Sequence, residues 1–245
     1  MNRLEIDGLC KQYRIGRQAV QAVRSLDLQV AEGSFVTVVG KSGCGKTTLL
    51  RLICGLEGPD GGCVRLSGGA CGGSGRPISI VFQEPRLMPW LTVRQNMAFG
   101  LTGKMARARV RQVVDRYLGL LGLTDFQDAY PRQISGGMAQ RTALGRTLCL
   151  DPEIILMDEP FGALDAFTRR NLQQELIAVF RSQNKTIIFV THDVDEAVLL
   201  GQRVLVMDKG AVLRDLAVSL PYPRDAMGRD FYLLREDILR TILTS

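Results

Sequence analysis

A glycine-rich stretch, GKSGCGKTT (40–48), joins two segments whose hydrophobic patterns predict different secondary structures. The run SFVTVVG (34–40) is apolar, rich in β-branched residues and ends in glycine, which predicts a buried strand. The following KTTLLRLICGL (46–56) has apolar residues at helical spacing. A strand, a G-x-x-x-x-G-K-[ST] turn and a helix in this order predict a phosphate-binding loop, because glycines let backbone N–H groups turn inward at the positive end of the helix. A chance glycine-rich turn would lack this strand and helix.

The residues of this loop are the first candidate ligands of a nucleoside triphosphate. Lys46 would reach the β- and γ-phosphates, and Thr47 would ligate Mg²⁺ through its hydroxyl. The full candidate set is Gly40, Lys41, Ser42, Gly43, Cys44, Gly45, Lys46, Thr47 and Thr48. The sequence therefore predicts a site for nucleotide phosphates together with Mg²⁺.

A second acidic candidate follows the apolar run of IILMDE (154–159). The four apolar residues predict a buried strand, and Asp158 comes at its carboxyl end, where parallel sheets bind their ligands. We interpret Asp158 as the carboxylate on the magnesium side. We interpret the adjacent Glu159 as the group that polarises a water for attack on the γ-phosphate. The alternative for Glu159 is a solvated carboxylate at a strand end.

Two other predicted strands also end in polar residues. The run ISIVFQ (78–83) ends in Gln83, which could ligate Mg²⁺ or bond a water on it without carrying charge. The run TIIFVT (186–191) leads into His192, the only histidine of the chain. A single histidine is more often structural, but its place at a strand end beside a nucleotide site favours catalysis. Three strand ends therefore direct polar side chains at one place.

Strands alternate with helices along the chain, which predicts an α/β fold with a mostly parallel sheet. The middle of the chain, about 84–150, is more helical and looks like an insertion into that sheet. Further segments are predicted as follows: a possible strand at 63–66 inside a glycine-rich stretch (58–75), a helical pattern over 93–123, a helix over 135–150, a strand over 153–158 and an amphipathic helix over 167–183.

Composition excludes several other classes of protein. The chain has 245 residues, of which 46% are hydrophobic and 23% charged, and no segment approaches the ~20 apolar residues that a membrane span needs. No signal peptide is recognisable, so we expect the protein to stay in the cytoplasm. The net charge is +6, but no basic run interleaved with aromatics points to nucleic acid. The six cysteines form no CxxC pair, which favours free thiols over a metal site.

Six motifs in a fixed order resemble the ATP-binding subunit of an ABC transporter, over roughly residues 3–215. They are GKSGCGKTT, Gln83, ISGGMAQR (134–141), IILMDEP (154–160), ALD (163–165) and THD (191–193). The resemblance implies a P-loop NTPase (RecA-like) core with a β-rich edge and a helical subdomain at about 84–150. It implies a cassette over 1–220 and a C-terminal tail, 221–245, that is helical and packed on the cassette. It also implies ATP and Mg²⁺ as ligands and ATP hydrolysis as the reaction.

The resemblance assigns further residues to the nucleotide. Tyr13 resembles the aromatic that stacks on adenine, although it could equally be a strand residue. In this family two subunits face head to tail, and the signature of one closes over the ATP held by the other. Ser135, Gly136 and Gly137 would then meet the γ-phosphate of the partner's nucleotide at a helix N-terminus. Asp165 would lie across the same interface, so a second copy of the chain is the first expected partner.

The signature departs from the family pattern in two places. Ile134 stands in place of the common leucine, which is a mild change. Met138 stands where glutamine is usual and cannot make the hydrogen bonds of that side chain. The phosphate contacts are kept, whereas the tightness of dimer closure is put in question.

A narrower likeness connects the chain to the nitrate, sulfonate and taurine branch of bacterial importers. It rests on FQEPRLMPWLTVRQNMAFGL (82–101) and on PYPRD (221–225). This branch implies a homodimeric integral membrane permease and, indirectly, an extracytoplasmic solute-binding protein as partners, with the ATPase peripheral on the cytoplasmic face of the membrane. In that branch LMPWLTV lies near the groove that receives a cytoplasmic helix of the permease, so Trp90 is either an interface anchor or a core aromatic.

Three rival functions are weaker. A P-loop GTPase needs an N-K-x-D motif, and the nearest stretch, NKTI (184–187), lacks the aspartate. A soluble ABC ATPase of DNA repair or translation usually carries a coiled-coil insertion or two fused cassettes, and a binding module without hydrolysis would lack Glu159 and His192. We therefore expect an ATPase that couples ATP binding and hydrolysis in a dimer to uptake of a small anion. Nitrate, sulfonates, taurine and related anions stay open as the solute.

Overall fold

The computed structural model describes residues 2–16, 18–67, 69, 78–162 and 164–244. Much of the glycine-rich stretch 58–75 and Ala163 of the ALD motif lie outside these residues. The strands are β1 (Asn2–Ile15), β2 (Gln18–Ala31), β3 (Phe35–Val39), β4 (Gly61–Leu66), β5 (Ile78–Val81), β6 (Ile154–Asp158), β7 (Thr186–Thr191), β8 (Arg203–Asp208) and β9 (Ala211–Ala217). The helices are α1 (Lys46–Ile53), α2 (Val93–Ala98), α3 (Arg107–Leu120), α4 (Gly136–Cys149), α5 (Ala166–Gln183), α6 (Val194–Leu200) and α7 (Arg229–Thr244).

The central sheet forms from the apolar runs of the sequence. Within the described residues its order is β5-β6-β7-β3-β8-β9, with the first five strands parallel and β9 antiparallel at the edge. Every residue of β3, β6 and β7 is buried, as expected for strands covered on both faces. Alternate side chains serve different layers: Ile155 and Met157 pack with α4 and α5, whereas Ile154 and Leu156 pack with α1 and β1. The predicted parallel core is confirmed.

A second, antiparallel sheet of order β2-β1-β4 covers the α1 side of the core. The two long strands β1 and β2 pair over most of their length, with register shifts that bend the hairpin. Its inner face contributes Leu4, Leu9, Val23 and Leu28 to the same apolar cluster as Leu49 and Leu50 of α1. This sheet is the β-rich edge that the family resemblance implies, and its strand β4 contains the predicted 63–66.

Helices fill the middle of the chain, but the single pattern predicted over 93–123 is two helices. α2 ends at Ala98 and α3 begins at Arg107, with turns between them. Buried side chains of both helices, including Met97 and Leu118, pack with Leu144 of α4 in one cluster. Asn96 is fully buried and its side chain bonds the carbonyls of Met88, Leu91 and Thr92, which fixes the segment after β5.

The last helix packs against the far side of the sheet. Phe231 and Ile238 of α7 are buried in a cluster with Val198 of α6 and Val206 of β8. Arg214 of β9 forms an ion pair with Asp237 at 2.7 Å. A 16-residue helix thus lies on the cassette within the predicted tail.

Two expectations need correction. The strand β5 ends at Val81, so Gln83 does not end a strand but lies exposed in a bend two residues later. Cys10, Cys44, Cys54 and Cys149 are not part of a disulfide, whereas Cys63 is disulfide-bonded, so a reduced thiol was wrongly expected there. Among the described residues, no helix combines the length and apolar character that crossing a bilayer requires.

Candidate active site

The phosphate loop runs from the end of β3 into α1 and is braced by backbone on both sides. Gly45 has φ +108°, and a Cβ added there would stand 2.0 Å from the carbonyl oxygen of Ala22 in β2. A Cβ on Gly40 would stand 2.1 Å from the carbonyl oxygen of Met207 in β8. These positions require glycine because the loop is pressed between two strands.

Lys46 is the first residue of α1 and its side chain turns back into the loop. It is only 5% exposed, and its Nζ donates to the carbonyl oxygens of Gly40 at 2.8 Å and Lys41 at 3.0 Å. The ammonium therefore lies at the N-terminal end of the helix, where the helix dipole also favours anions. The cation, the helix end and the glycine-rich loop thus lie together as a candidate phosphate-binding surface.

Thr47 and Asp158 meet across the junction of α1 and β6. The Thr47 hydroxyl donates to Asp158 Oδ1 at 3.0 Å, and Asp158 is 7% exposed. Burial raises the pKa of the Asp158 carboxyl, and the hydrogen bond from Thr47 opposes that shift. A hydroxyl and a carboxylate are hard oxygen ligands and fit Mg²⁺, which takes few protein ligands and the rest from phosphates and water. The described residues contain no group of three or more His, Cys, Asp and Glu that could hold a metal ion.

Glu159 and His192 form a second pair beside the first. His192 Nδ1 lies 2.7 Å from Glu159 Oε2. Glu159 has φ +45°, an uncommon conformation for a residue with a side chain, and its backbone N–H donates to Val190 O at 2.9 Å. The strand end is thus turned so that consecutive carboxylates project differently: Asp158 toward α1 and Glu159 toward the end of β7.

A buried network supports the turn that carries His192. Glu196 of α6 is 6% exposed and accepts from Thr191 Oγ1 at 2.5 Å and from Gln173 Nε2 of α5 at 2.9 Å. The Thr191 hydroxyl in turn accepts from the backbone N–H of Asp193 at 3.0 Å. Burial raises the pKa of Glu196, and its two hydrogen bonds oppose that shift. The network connects the end of β7 to α5, the helix that begins after Asp165.

Among the described residues, no hydrogen bond or ion pair joins Gln83 to the other catalytic candidates. Its neighbour Phe82 is held by α4, because Gln140 Nε2 donates to the Phe82 carbonyl at 3.1 Å. Arg146 of α4 holds the next residues, donating to the Arg86 carbonyl at 2.9 Å. The position of Gln83 is thus set by the helix that starts at the signature.

Tyr13 is a strand residue, opposite Val20 in the β1–β2 hairpin, and it is half-buried. Its hydroxyl donates to Glu57 Oε2, in the segment after α1. Both interpretations of Tyr13 from sequence therefore stay compatible, since a strand residue can still present its ring to a base. The bond between Tyr13 and Glu57 spans 44 positions and gave no signal in the sequence.

The signature residues form the start of α4. Ser135 is the N-cap, and its Oγ accepts from the backbone N–H of Met138 at 3.3 Å. A Cβ on Gly136 would meet nothing within 4 Å, whereas one on Gly137 would stand 3.0 Å from Thr168 of α5. Asp165 is the N-cap of α5 and accepts from Thr168 N at 2.9 Å. Among the described residues, no hydrogen bond or ion pair joins Ser135–Gly137 to the phosphate loop.

Trp90 is 69% exposed, so its interpretation as a core aromatic was wrong. It lies between β5 and α2, in the segment that Asn96 holds. A groove of about 1010 Å³ runs between α2 and α3 and is lined by Ala98, Met105 and Val110 together with Arg94 and Arg107.

Comparison with known proteins decides the family. The model of the ABC transporter family matches residues 23–162, more than half of the chain. The chain belongs to this family. It is an ATP-binding subunit and an ATPase with the P-loop NTPase fold, as its sequence predicts.

The relatives extend this result over the whole chain. An ABC transporter ATP-binding protein of Methanocaldococcus jannaschii is 45% identical over 243 residues, which cover 98% of this chain and 91% of the relative. The aliphatic sulfonates import ATP-binding protein SsuB of Bacillus cereus is 41% identical over 239 residues, covering 97% and 94%. Among solved structures, the dimeric post-hydrolysis state of the ATP-binding cassette MJ0796 with ADP and Pi is 31% identical, with a TM-score of 0.80 over 88% of this chain and 98% of that one.

Proposed function

We propose that the chain is the ATPase of an importer for small anions, with aliphatic sulfonates as the first candidates. The observation that carries this proposal is a pair of contacts at the carboxyl end of β6, Thr47 with Asp158 and Glu159 with His192. These contacts supply what hydrolysis needs, and the 41% identity to SsuB supports the solute class. Nitrate and taurine are further candidates from the likeness of residues 82–101.

The residues divide the reaction between them. Lys46 and the loop N–H groups bind the β- and γ-phosphates and hold them in line with the acidic corner. Thr47 and Asp158, together with Gln83, would hold Mg²⁺, which when bound supplies positive charge against the phosphate oxygens. Glu159 accepts the proton of the attacking water at a carboxylate oxygen.

His192 has a supporting role in this chemistry. Its Nδ1 contacts Oε2 of Glu159, so it fixes the carboxylate while the other oxygen, Oε1, stays available to the water. The Glu196 network keeps the turn that carries His192 in place. We therefore propose that His192 orients Glu159 rather than replacing it as the base.

The second half of the site would come from another copy of the chain. Gly136 and Gly137 begin α4, no hydrogen bond or ion pair among the described residues joins them to the phosphate loop of their own chain, and a Cβ on Gly136 would meet nothing within 4 Å. A head-to-tail dimer would bring them to the γ-phosphate on its partner, with Asp165 at the same interface. The dimeric form of the MJ0796 cassette supports this arrangement.

A membrane permease would dock at the groove between α2 and α3. The groove combines apolar walls with arginines, and the exposed Trp90, which precedes α2 in the chain, would serve as a further anchor. The segment that precedes Trp90 is bonded to α4 through Arg146 and Gln140. Docking of the permease there would therefore be coupled to the position of the signature at the start of α4. The subunit would then be peripheral at the cytoplasmic face, with a solute-binding protein acting on the other side. The cassette (1–220) and tail (221–245) stay our proposed division of the chain.

The test is reconstitution with the permease and solute-binding protein encoded by adjacent genes. In proteoliposomes we expect ATP hydrolysis to rise with an alkanesulfonate and to stay basal with an unrelated amino acid. Trp90→Ala should keep basal hydrolysis in the isolated subunit and lose permease binding. If nitrate alone stimulated hydrolysis, the solute would be nitrate and not a sulfonate. The absence of any complex with the permease would contradict the importer function.

A further inference from the structure

A charged cluster surrounds Tyr13 beside the phosphate loop, where the Tyr13 hydroxyl also has a hydrogen bond with the side chain of Thr48. The Tyr13 hydroxyl donates to Glu57 Oε2, and Arg51 Nη1 donates to the other carboxylate oxygen, Oε1, at 3.2 Å. Both oxygens of Glu57 are therefore engaged, and its side chain is only 24% exposed. The cluster links a strand of the antiparallel sheet to α1, the helix that starts at the phosphate loop.

Glu57 is itself fixed to α1. Arg51 belongs to the last turn of that helix, and the backbone N–H groups of Leu56 and Glu57 donate to the Arg51 carbonyl at 2.9 and 3.3 Å. The carboxylate therefore has a defined position relative to the first turn of α1, where Lys46 and Thr47 lie.

The ionisation states fit a strong hydrogen bond. The bonds from Tyr13 and Arg51 lower the pKa of Glu57, and burial with the nearby carboxylate raises the pKa of Tyr13. At neutral pH a protonated phenol thus donates to a charged carboxylate, a pairing stronger than one between neutral groups. Lys11 approaches the Tyr13 ring as well, with Nζ 5.7 Å from the centroid, and is held by Asp60 at 3.1 Å.

We propose that Glu57 is a positioning residue for nucleotide binding, which holds the Tyr13 ring in the orientation that stacks on the adenine of ATP. The inference rests on the proposed role of Tyr13. A half-buried tyrosine has two side-chain torsions to restrict, and fixing them before binding lowers the cost of ordering the ring when the base arrives. Because Glu57 is attached to α1, the ring is placed relative to the phosphates.

The experiment measures the dissociation constants of ATP and of inorganic tripolyphosphate by calorimetry on the full chain. Tripolyphosphate engages the phosphate loop but has no base. Loss of a hydrogen bond to a charged group, which contributes about 1.5–3 kcal/mol, corresponds to roughly 10- to 150-fold in affinity. Glu57→Ala should raise the dissociation constant of ATP within that range and leave that of tripolyphosphate unchanged, with kcat at saturating ATP also unchanged.

Three further variants separate positioning from folding. Tyr13→Phe keeps the ring and loses the hydroxyl, so it should resemble Glu57→Ala. The double variant Tyr13→Phe/Glu57→Ala should be no weaker than either single variant, because both remove the same bond. Glu57→Gln keeps an acceptor and should restore part of the affinity.

The outcomes distinguish this inference from the proposed function. If Tyr13→Ala weakens ATP binding and Glu57→Ala does not, Glu57 has no positioning role while the stacking role of Tyr13 stands. Wild-type ATP affinity in Tyr13→Ala overturns both, yet leaves the phosphate loop intact. Equal losses for ATP and tripolyphosphate, or additive effects in the double variant, would show that Glu57 acts through the fold of α1 and overturn the inference.

Discussion

The helices α1 and α4 both begin at glycines for which we propose a role in phosphate binding, and the surroundings of the two helix starts differ. At α1 the loop is closely packed, because Lys46 is buried against loop carbonyls and a Cβ on Gly45 would collide with Ala22. At α4 the Ser135 hydroxyl caps its own helix, and a Cβ on Gly136 would enter open space. Acidic residues accompany the first site, and no charged partner contacts Ser135–Gly137 among the described residues.

This difference indicates that the two proposed halves of the nucleotide site are not alike within one chain: the side chains at α1 are already bonded to one another, whereas the start of α4 is open. In the α1 half, Lys46 contacts the loop carbonyls, Thr47 contacts Asp158, and His192 contacts Glu159. In the α4 half, the backbone N–H groups of Gly136 and Gly137 have no hydrogen-bond acceptor among the described residues. A site shared between two copies explains both halves, and the following variants test where the division lies.

The largest effect is expected from Lys46→Ala. The variant removes the ammonium that compensates the β- and γ-phosphate charge, so ATP turnover should fall to background. Lys104→Ala, at an exposed position outside the loop, is the matched control and should retain normal hydrolysis. Near-normal turnover in Lys46→Ala would contradict the proposal that the loop before α1 binds the phosphates of ATP.

Glu159→Gln should follow, with a loss of roughly 10²–10⁴-fold in hydrolysis, the usual contribution of a general base. The amide keeps the shape of the side chain, so ATP binding should persist and the dimer should be trapped, which gel filtration with ATP measures. Glu153→Gln, just before the other end of β6, is the control. A Glu159→Gln protein that hydrolyses ATP at the normal rate would show that the base lies elsewhere.

Asp158→Asn separates stability from activity in the same corner. Burial raises the pKa of Asp158, so the folded protein binds this proton more tightly than the unfolded chain does. Its contribution to stability is therefore greatest below the unfolded pKa and declines as pH rises through the raised value. At neutral pH the asparagine should raise the unfolding temperature without nucleotide, while Mg²⁺-dependent hydrolysis falls about 10²-fold or more. A lower unfolding temperature would contradict this.

The smallest effect is expected in the α4 half, from Met138→Gln. Met138 packs beside the core cluster, and its backbone N–H is already bonded to Ser135. Restoring the usual glutamine should change the ATP-dependent dimer affinity by only a few-fold, measured by analytical ultracentrifugation. A change of several hundred-fold would mean that Met138 controls closure.

The buried strands could be predicted from sequence because their apolar runs are unbroken: β3, β6 and β7 begin and end within a residue of prediction. The long hairpin could not, since β2 exposes most of its outer residues and lacks such a run. Gln83 was misplaced because apolar Phe82 prolongs the pattern of β5 after its pairing has ended.

The site shows the same limit. Motif spacing identified Thr47 and Asp158, and strand ends brought Glu159 to His192. Contacts between distant segments gave no local signal, including Gln140 with Phe82 and Glu196 with Gln173. Such partners hold the motif residues in place and carry no motif of their own.

The most direct measurement compares two heterodimers, purified through two different tags and assayed at once for ATP hydrolysis. One joins a Ser135→Arg chain to a Lys46→Ala chain, and the other joins a wild-type chain to the Ser135→Arg/Lys46→Ala double variant. If each site takes its loop from one chain and its signature from the other, the first heterodimer has one intact site and the second has none. We therefore predict that the first is the more active. Higher activity in the second heterodimer would place both halves in the same chain and contradict the shared site.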